Sequence, residues 1–206
     1  MYFPFLIDLD GKAILVVGGG KVAYRKVLLF KRFTKNITIL SPVICHEMEE
    51  EIKRNKFSFL KKSFENDDIL KFDIIIAATN NRDVNRTISL ESKRKNKLVN
   101  VVDDPELCAF IVPSIISYEN FLIAFSTFGK VPSLSRVFRE EVERDFNSDF
   151  NSVVGYLESL REGLKSKNYL PEVRDKILLD CSRRAFEYFR KGKSLSEIRA
   201  MIESCN

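Results

Sequence analysis

The chain has 206 residues, of which 45% are hydrophobic, and a formal charge of +5. That length suits one domain with an appendage or two small domains, and the hydrophobic fraction is enough for a sizeable core. Basic and acidic residues are interspersed, with no long basic block and no nucleic-acid motif, so nucleic acid is not an expected partner. No stretch reaches the ~18 apolar residues of a membrane span. The apolar start lacks a basic leader and soon meets Asp8 and Asp10, so no signal peptide is read there. Cys45, Cys108, Cys181 and Cys205 form no C-x-x-C. Neither a metal site nor a disulfide framework is expected, and a reducing, cytoplasmic location fits.

Residues 2–11 read as a lead-in whose Phe3, Phe5, Leu6 and Ile7 cover an edge of the core. Ala13 to Val17 is a β-branched strand, followed by Gly18, Gly19 and Gly20 and then a helix. The helix has Val22, Ala23, Val27 and Phe30 as inner positions. Gly18, Gly20 and Ala23 fit the dinucleotide pattern G-x-G-x-x-G/A. Gly18 turns sharply, Gly20 leaves room for a pyrophosphate, and Ala23 lets the helix lie close to the sheet. The helix N-terminus then offers N–H groups to phosphate.

Asn36 to Leu40 is the second strand. Ser41-Pro42 reads as a helix start, with Ser41 as cap and Pro42 at the first helical position. Further strands are expected at 57–60, 73–78 and 98–102, with a helix over 83–95. Strands alternating with helices argue for a Rossmann-like, doubly wound parallel sheet. After Pro105 the pattern changes. Residues 110–116 and 121–126 read as a hairpin, and Ser133 as the cap of a helix over 134–146. The remainder is helical, with Ser194-Leu-Ser-Glu197 as a capping box for the last helix.

Ligands of such sheets bind outside the carboxyl ends of the strands. Gly18, Gly19, Gly20, Lys21, Val22, Ala23, Ser41, Pro42, Thr79 and Asn81 are therefore the expected cofactor contacts, with Asp103 converging on the same crevice. The acidic residue that often holds the ribose, ~20 positions past the glycines, is absent. Ser41 stands there instead, as a weaker ribose partner or a mere cap. NAD and NADP both stay open on these residues, with NAD the expected cofactor. Adjacent strand residues point to opposite faces, so only one of Asp103 and Asp104 should face the crevice. A carboxylate there suits proton transfer during dehydrogenation; a turn cap before Pro105 is the alternative. His46 reads as an exposed helix residue and Cys108 as a small buried one. Lys130, Arg136 and Arg139 suit either carboxylate binding or a solvated face.

Several motifs occur together: Gly18-Gly-Gly-Lys-Val-Ala-Tyr-Arg-Lys26, Ala77-Ala-Thr79 with Asn85, Asn100-Val-Val-Asp-Asp-Pro105, Phe110-Ile-Val-Pro-Ser-Ile-Ile116 and Ser126-Thr-Phe-Gly-Lys-Val-Pro132. In this order they resemble the precorrin-2 dehydrogenase family, also found as the N-terminal half of siroheme synthase. The likeness spans about residues 1–146. It implies NAD-dependent oxidation of precorrin-2 to sirohydrochlorin, with Asp103 as general acid/base. For some members it also implies a ferrochelatase (lyase) activity with Fe2+ as substrate; a non-catalytic nucleotide- or tetrapyrrole-binding regulator is the remaining alternative. Substrate contacts are expected at Ser126, Thr127, Lys130 and Arg136. Phe128 stands where the family commonly has glycine, and Val131 where it commonly has serine or alanine. The likeness further implies a homodimer, and hence a dinucleotide-binding domain over 1–113, a dimerisation segment over 114–146 and a helical domain over 147–206.

Overall fold

A computed structural model describes residues 2–167 and 169–205. The chain divides into two compact units, Met1–Val112 and Pro113–Asn206. The first runs β1 (Ile14–Val17), α1 (Lys21–Phe30), β2 (Ile37–Leu40), α2 (His46–Asn55), β3 (Ser58–Leu60), β4 (Ile74–Ala77), α3 (Arg82–Arg94) and β5 (Leu98–Val101). All five strands are parallel, in the order β3-β2-β1-β4-β5. The chain works outward from β1 on one side and then returns to lay β4 and β5 on the other. That reversal leaves a crevice at the carboxyl ends of β1 and β4.

β1 is central and apolar at all four positions because both faces are covered. Ile14, Val16, Ile39 and Ile76 meet Ala23 and Val27 of α1 and Met48 of α2 on one face. Leu15, Val17, Ile75 and Val99 meet Ile88 of α3 on the other. A one-residue slip of any inner strand would exchange the two sets. α1 and α2 are joined by an ion pair: Lys31 Nζ lies 2.6 Å from Glu51 Oε1, whose side chain is 3% exposed.

Three local expectations are corrected. Phe3, Phe5 and Leu6 do not cover the core; they are 82%, 67% and 83% exposed, and Leu9 is the lead-in residue that packs on it. Val22 is 40% exposed, because α1 begins at Lys21 and turns Ala23 and Val27 inward instead. Ser41 and Pro42 do not open a helix. The Ser41 N–H donates to Leu60 O at 3.1 Å and the Cys45 N–H to Gly19 O at 2.8 Å, so the chain runs through a bent loop until α2 starts behind Cys45. Tertiary hydrogen bonds here override a local capping signal.

The second unit holds an antiparallel hairpin, β6 (Ser114–Ser117) and β7 (Leu122–Phe125), followed by α4 (Pro132–Asp145). The N-cap of α4 is Val131, not Ser133, because Pro132 takes the first helical position. Three helices follow: α5 (Ser148–Lys165), α6 (Pro171–Arg190) and α7 (Leu195–Glu203). They share a core of Val153, Leu160, Leu164, Cys181, Ala185, Ile198 and Ile202. Leu134, Val137 and Phe138 of α4 are exposed, and Ser135 is its buried residue. Among the described residues no helix is long and apolar enough to cross a membrane.

Two outcomes follow from these contacts. Glu51→Ala should lower unfolding stability by about 1–3 kcal/mol in urea titrations, since a buried acceptor is lost while half-exposed Lys31 can still reach water. The expected capping box is present at α7, with Ser194 and Glu197 exchanging hydrogen bonds. Lys193 and then the Ser194 N–H and hydroxyl hold the Glu197 carboxyl down from 4.5 to about 2. A depressed acid contributes stability above its unfolded value and loses it as pH falls through its folded value. Melting temperature should therefore drop more steeply toward pH about 2 in the parent chain than in Glu197→Gln.

Candidate functional site

A crevice of about 550 Å³ opens at the carboxyl ends of β1, β2 and β4. Gly18, Gly19, Gly20, Ser41, Pro42, Thr79 and Asn81 all line it. Each glycine has its own reason. Gly18 has φ +127°, and a Cβ there would lie 2.3 Å from Ala78 O. A Cβ on Gly19 would lie 2.0 Å from Val43 O. These two positions let the β2 and β4 loops close against the turn. Gly20 is different: a Cβ there would meet nothing within 4 Å. Gly20 is the N-cap of α1, no side chain caps that helix, and its first turn holds no acid. Open space in front of uncapped N–H groups fits a pyrophosphate.

The walls are held by side chains. Ser41 is buried, and its hydroxyl donates to Val43 O at 2.6 Å, which closes the loop after β2. Thr79 donates from its N–H and hydroxyl to Asn85 Oδ1 at 3.2 and 2.7 Å, and Asn85 Nδ2 returns a bond to Thr79 O at 3.0 Å. Asn81 caps α3, its Oδ1 accepting from the N–H groups of Asp83 and Val84. Lys21 and Val22 are exposed on the first turn of α1, and Ala23 is buried against the sheet. Phe64 also lines the crevice, a wall the sequence reading missed.

Asp103 is exposed on the turn after β5, with φ +61°. β5 ends at Val101, so strand alternation does not sort Asp103 from Asp104. Asp104 instead reaches back to α3, where Arg82 Nη2 lies 3.4 Å from its Oδ2. Lys26 of α1 is half-buried; burial lowers its amine's pKa, while the neighbouring Cys108 and Asp103 counter that. Lys26 belongs to the glycine motif but carried no separate signal; its place one turn past Ala23 is what turns it inward. Cys108 is half-buried rather than buried, and its sulfur is a hydrogen-bond centre.

Most of the remaining candidates lie in the second unit. Ser126 Oγ accepts from the Phe128 N–H at 3.1 Å, and Thr127 Oγ1 from the Val131 N–H at 3.0 Å. Phe128 has φ +55°, a conformation that favours glycine. Lys130 is exposed. Arg136 pairs with Glu140 at 2.7 Å, and Arg139 with Glu143. His46 is exposed beside Glu50. Among the described residues no group of three or more His, Cys, Asp or Glu is placed to hold a metal ion.

The glycine geometry separates two substitutions. Gly20→Ala should leave the melting temperature near that of the parent chain and weaken dinucleotide binding by about tenfold or more, read by calorimetric titration. Gly18→Ala should instead lower the melting temperature, because its methyl group meets backbone.

Comparison with known proteins agrees with this geometry. Residues 5–114 match the family model described as "Putative NAD(P)-binding". The siroheme synthase of Vesicomyosocius okutanii is 35% identical over 166 residues, covering 81% of this chain and 36% of that protein. The siroheme synthase of Thioalkalivibrio sulfidiphilus is 37% identical over 171 residues, covering 83% and 35%. This chain thus spans about a third of the length of the curated relatives it matches. A solved structure named "SirC, precorrin-2 dehydrogenase" superposes with a TM-score of 0.79 at 22% identity, covering 99% of this chain and 98% of the other. The fold is therefore shared along the whole length. The chain belongs to the NAD(P)-binding family that its residues 5–114 match, and its relatives include siroheme synthases.

Proposed function

We propose that this chain is a dehydrogenase that oxidises precorrin-2 to sirohydrochlorin with NAD+. The observation that carries the reading is a carboxylate, Asp103, on the turn that follows a strand of the same sheet whose glycine cradle opens to a dinucleotide. The names of the relatives, siroheme synthases and a precorrin-2 dehydrogenase, support the substrate.

The backbone of Gly18, Gly19 and Gly20 and the first N–H groups of α1, at Lys21 and Val22, would hold the pyrophosphate. Ala23 lets that helix end come close. Ser41 and Pro42 border the ribose, and Thr79 and Asn81 the nicotinamide end. NAD fits better than NADP, since no arginine stands at the end of β2 to hold a 2′-phosphate. When bound, NAD+ supplies a hydride acceptor. Oxidation removes two electrons and two protons in all: one hydride and one proton. Asp103 takes the proton at its carboxylate.

Precorrin-2 carries eight carboxylates, which suits a chain of net positive charge. Ser126, Thr127, Lys130 and Arg136 are assigned to the substrate on the family resemblance. A cytoplasmic homodimer completes the reading; the exposed Leu134, Val137 and Phe138 of α4 support an interface within residues 114–146. Fe2+ insertion into the product is a separate activity, tested by anaerobic incubation with sirohydrochlorin and Fe2+ without NAD+.

Asp103→Asn should retain NAD+ affinity within about twofold and lose turnover by about a hundredfold or more, the usual scale of a lost general base. Asparagine keeps the left-handed backbone accessible, so the comparison isolates the charge. Parent-like NADH formation by this variant would sink the assignment.

A further inference from the structure

The turn that carries Asp103 is unusual for a non-glycine residue. Its φ of +61° is uncommon for an L residue, although aspartate reaches it more readily than most, and the surroundings help to fix it. The backbone supplies part of that restraint. Val102 N–H donates to Ala77 O at 3.0 Å, and Leu107 N–H to Asp104 O at 3.2 Å. Residues 107–112 then cross the free edge of β5. Leu107 packs on the α3 face and Phe110 and Val112 on the α1 face, while Ala109 N–H donates to Val99 O at 2.8 Å.

Cys108 sits at that crossing, and its sulfur meets both ends of the Asp103 turn. The Val101 N–H donates to Sγ at 3.1 Å. The thiol lies 3.2 Å from Val101 O and 3.3 Å from Asp104 O, so its one hydrogen has two acceptors that bracket Asp103. Asn100 Nδ2 donates to Sγ at 3.5 Å and to Phe110 O at 3.0 Å. Burial pushes the thiol's pKa up, which keeps that hydrogen in place.

We infer that Cys108 is a positioning residue: its thiol clamps Val101 to Asp104 and so holds the Asp103 carboxylate in the geometry that proton transfer needs. This rests on the dehydrogenase reading for its catalytic consequence, but not for the clamp itself. No other side chain hydrogen-bonds to both ends of the turn among the described residues. A hydroxyl can donate and accept as the thiol does, with shorter reach, whereas a methyl group can do neither.

Two measurements on the full chain test it. In the first, hydrogen exchange is followed by mass spectrometry across residues 101–110 without substrate. Cys108→Ala should lose protection there by about tenfold, with exchange in α1 and α6 unchanged, and Cys108→Ser should recover part of it. Parent-like exchange in Cys108→Ala overturns the clamp, and so does an equal loss across the whole first unit. In the second, NADH formation from precorrin-2 is measured. Cys108→Ala should lower kcat by about ten- to a hundredfold at unchanged KM for NAD+, with partial rescue in Cys108→Ser. An unchanged kcat overturns the positioning role. If the parent chain itself forms no NADH, the dehydrogenase reading and with it the catalytic consequence fail, while the exchange result alone decides the clamp.

Discussion

Two adjacent positions without side chains, Gly18 and Gly19, decide how the first unit closes. Carbonyl oxygens of Ala78 and Val43 occupy the places their Cβ atoms would take. Because of that close approach the loops after β2 and β4 fold against the loop after β1. Three short strands then end in one crevice rather than three separate turns. Gly20 inherits the result: it caps α1 with open space before it. The helix N-terminus faces the crevice, where its partial positive charge favours an anion such as a phosphate.

The turn that carries Asp103 depends on a second restraint of a different kind. β5 is an edge strand, and an edge strand leaves one row of backbone groups unpaired. The chain covers that row by wrapping residues 107–112 back over it. The wrap brings Cys108 under the turn and lets Asn100, buried in the strand, bond to Phe110 O. Asn100 Oδ1 is left without a hydrogen-bond partner among the described residues. The covering of the edge and the left-handed turn at Asp103 are thus neighbours along the chain, joined through the bonds of Cys108.

Much of this was legible in the residues. The strands announce themselves because both sheet faces are buried, so Ile14–Val17 and Ile74–Ala77 are unbroken apolar runs between polar turns. The glycine turn is legible because Gly18 sits where only glycine fits and Gly20 leaves open space before α1. Ser41-Pro42 misleads because its cap signal is local, while the bonds of Ser41 to Leu60 and Cys45 to Gly19 are not. Val22 and the lead-in phenylalanines mislead because apolar character alone does not fix a direction. Asp103 escaped the alternation argument by leaving the strand before it, and Cys108 gave no sign of its bonds because they form only where the edge is crossed. In the second unit the helical core was plain from its spacing, but the exposed face of α4 emerges only once its packing against β6 and β7 is known.

The central claim is that a dinucleotide and precorrin-2 meet on this sheet. Its most direct measurement is anaerobic incubation of the purified parent chain with freshly generated precorrin-2 and NAD+, with NADP+ in parallel, following both reduced cofactor and sirohydrochlorin. The account predicts NADH and sirohydrochlorin in equal amounts, well above the enzyme-free rate and faster than with NADP+. Dinucleotide binding without any increase in either product would contradict it.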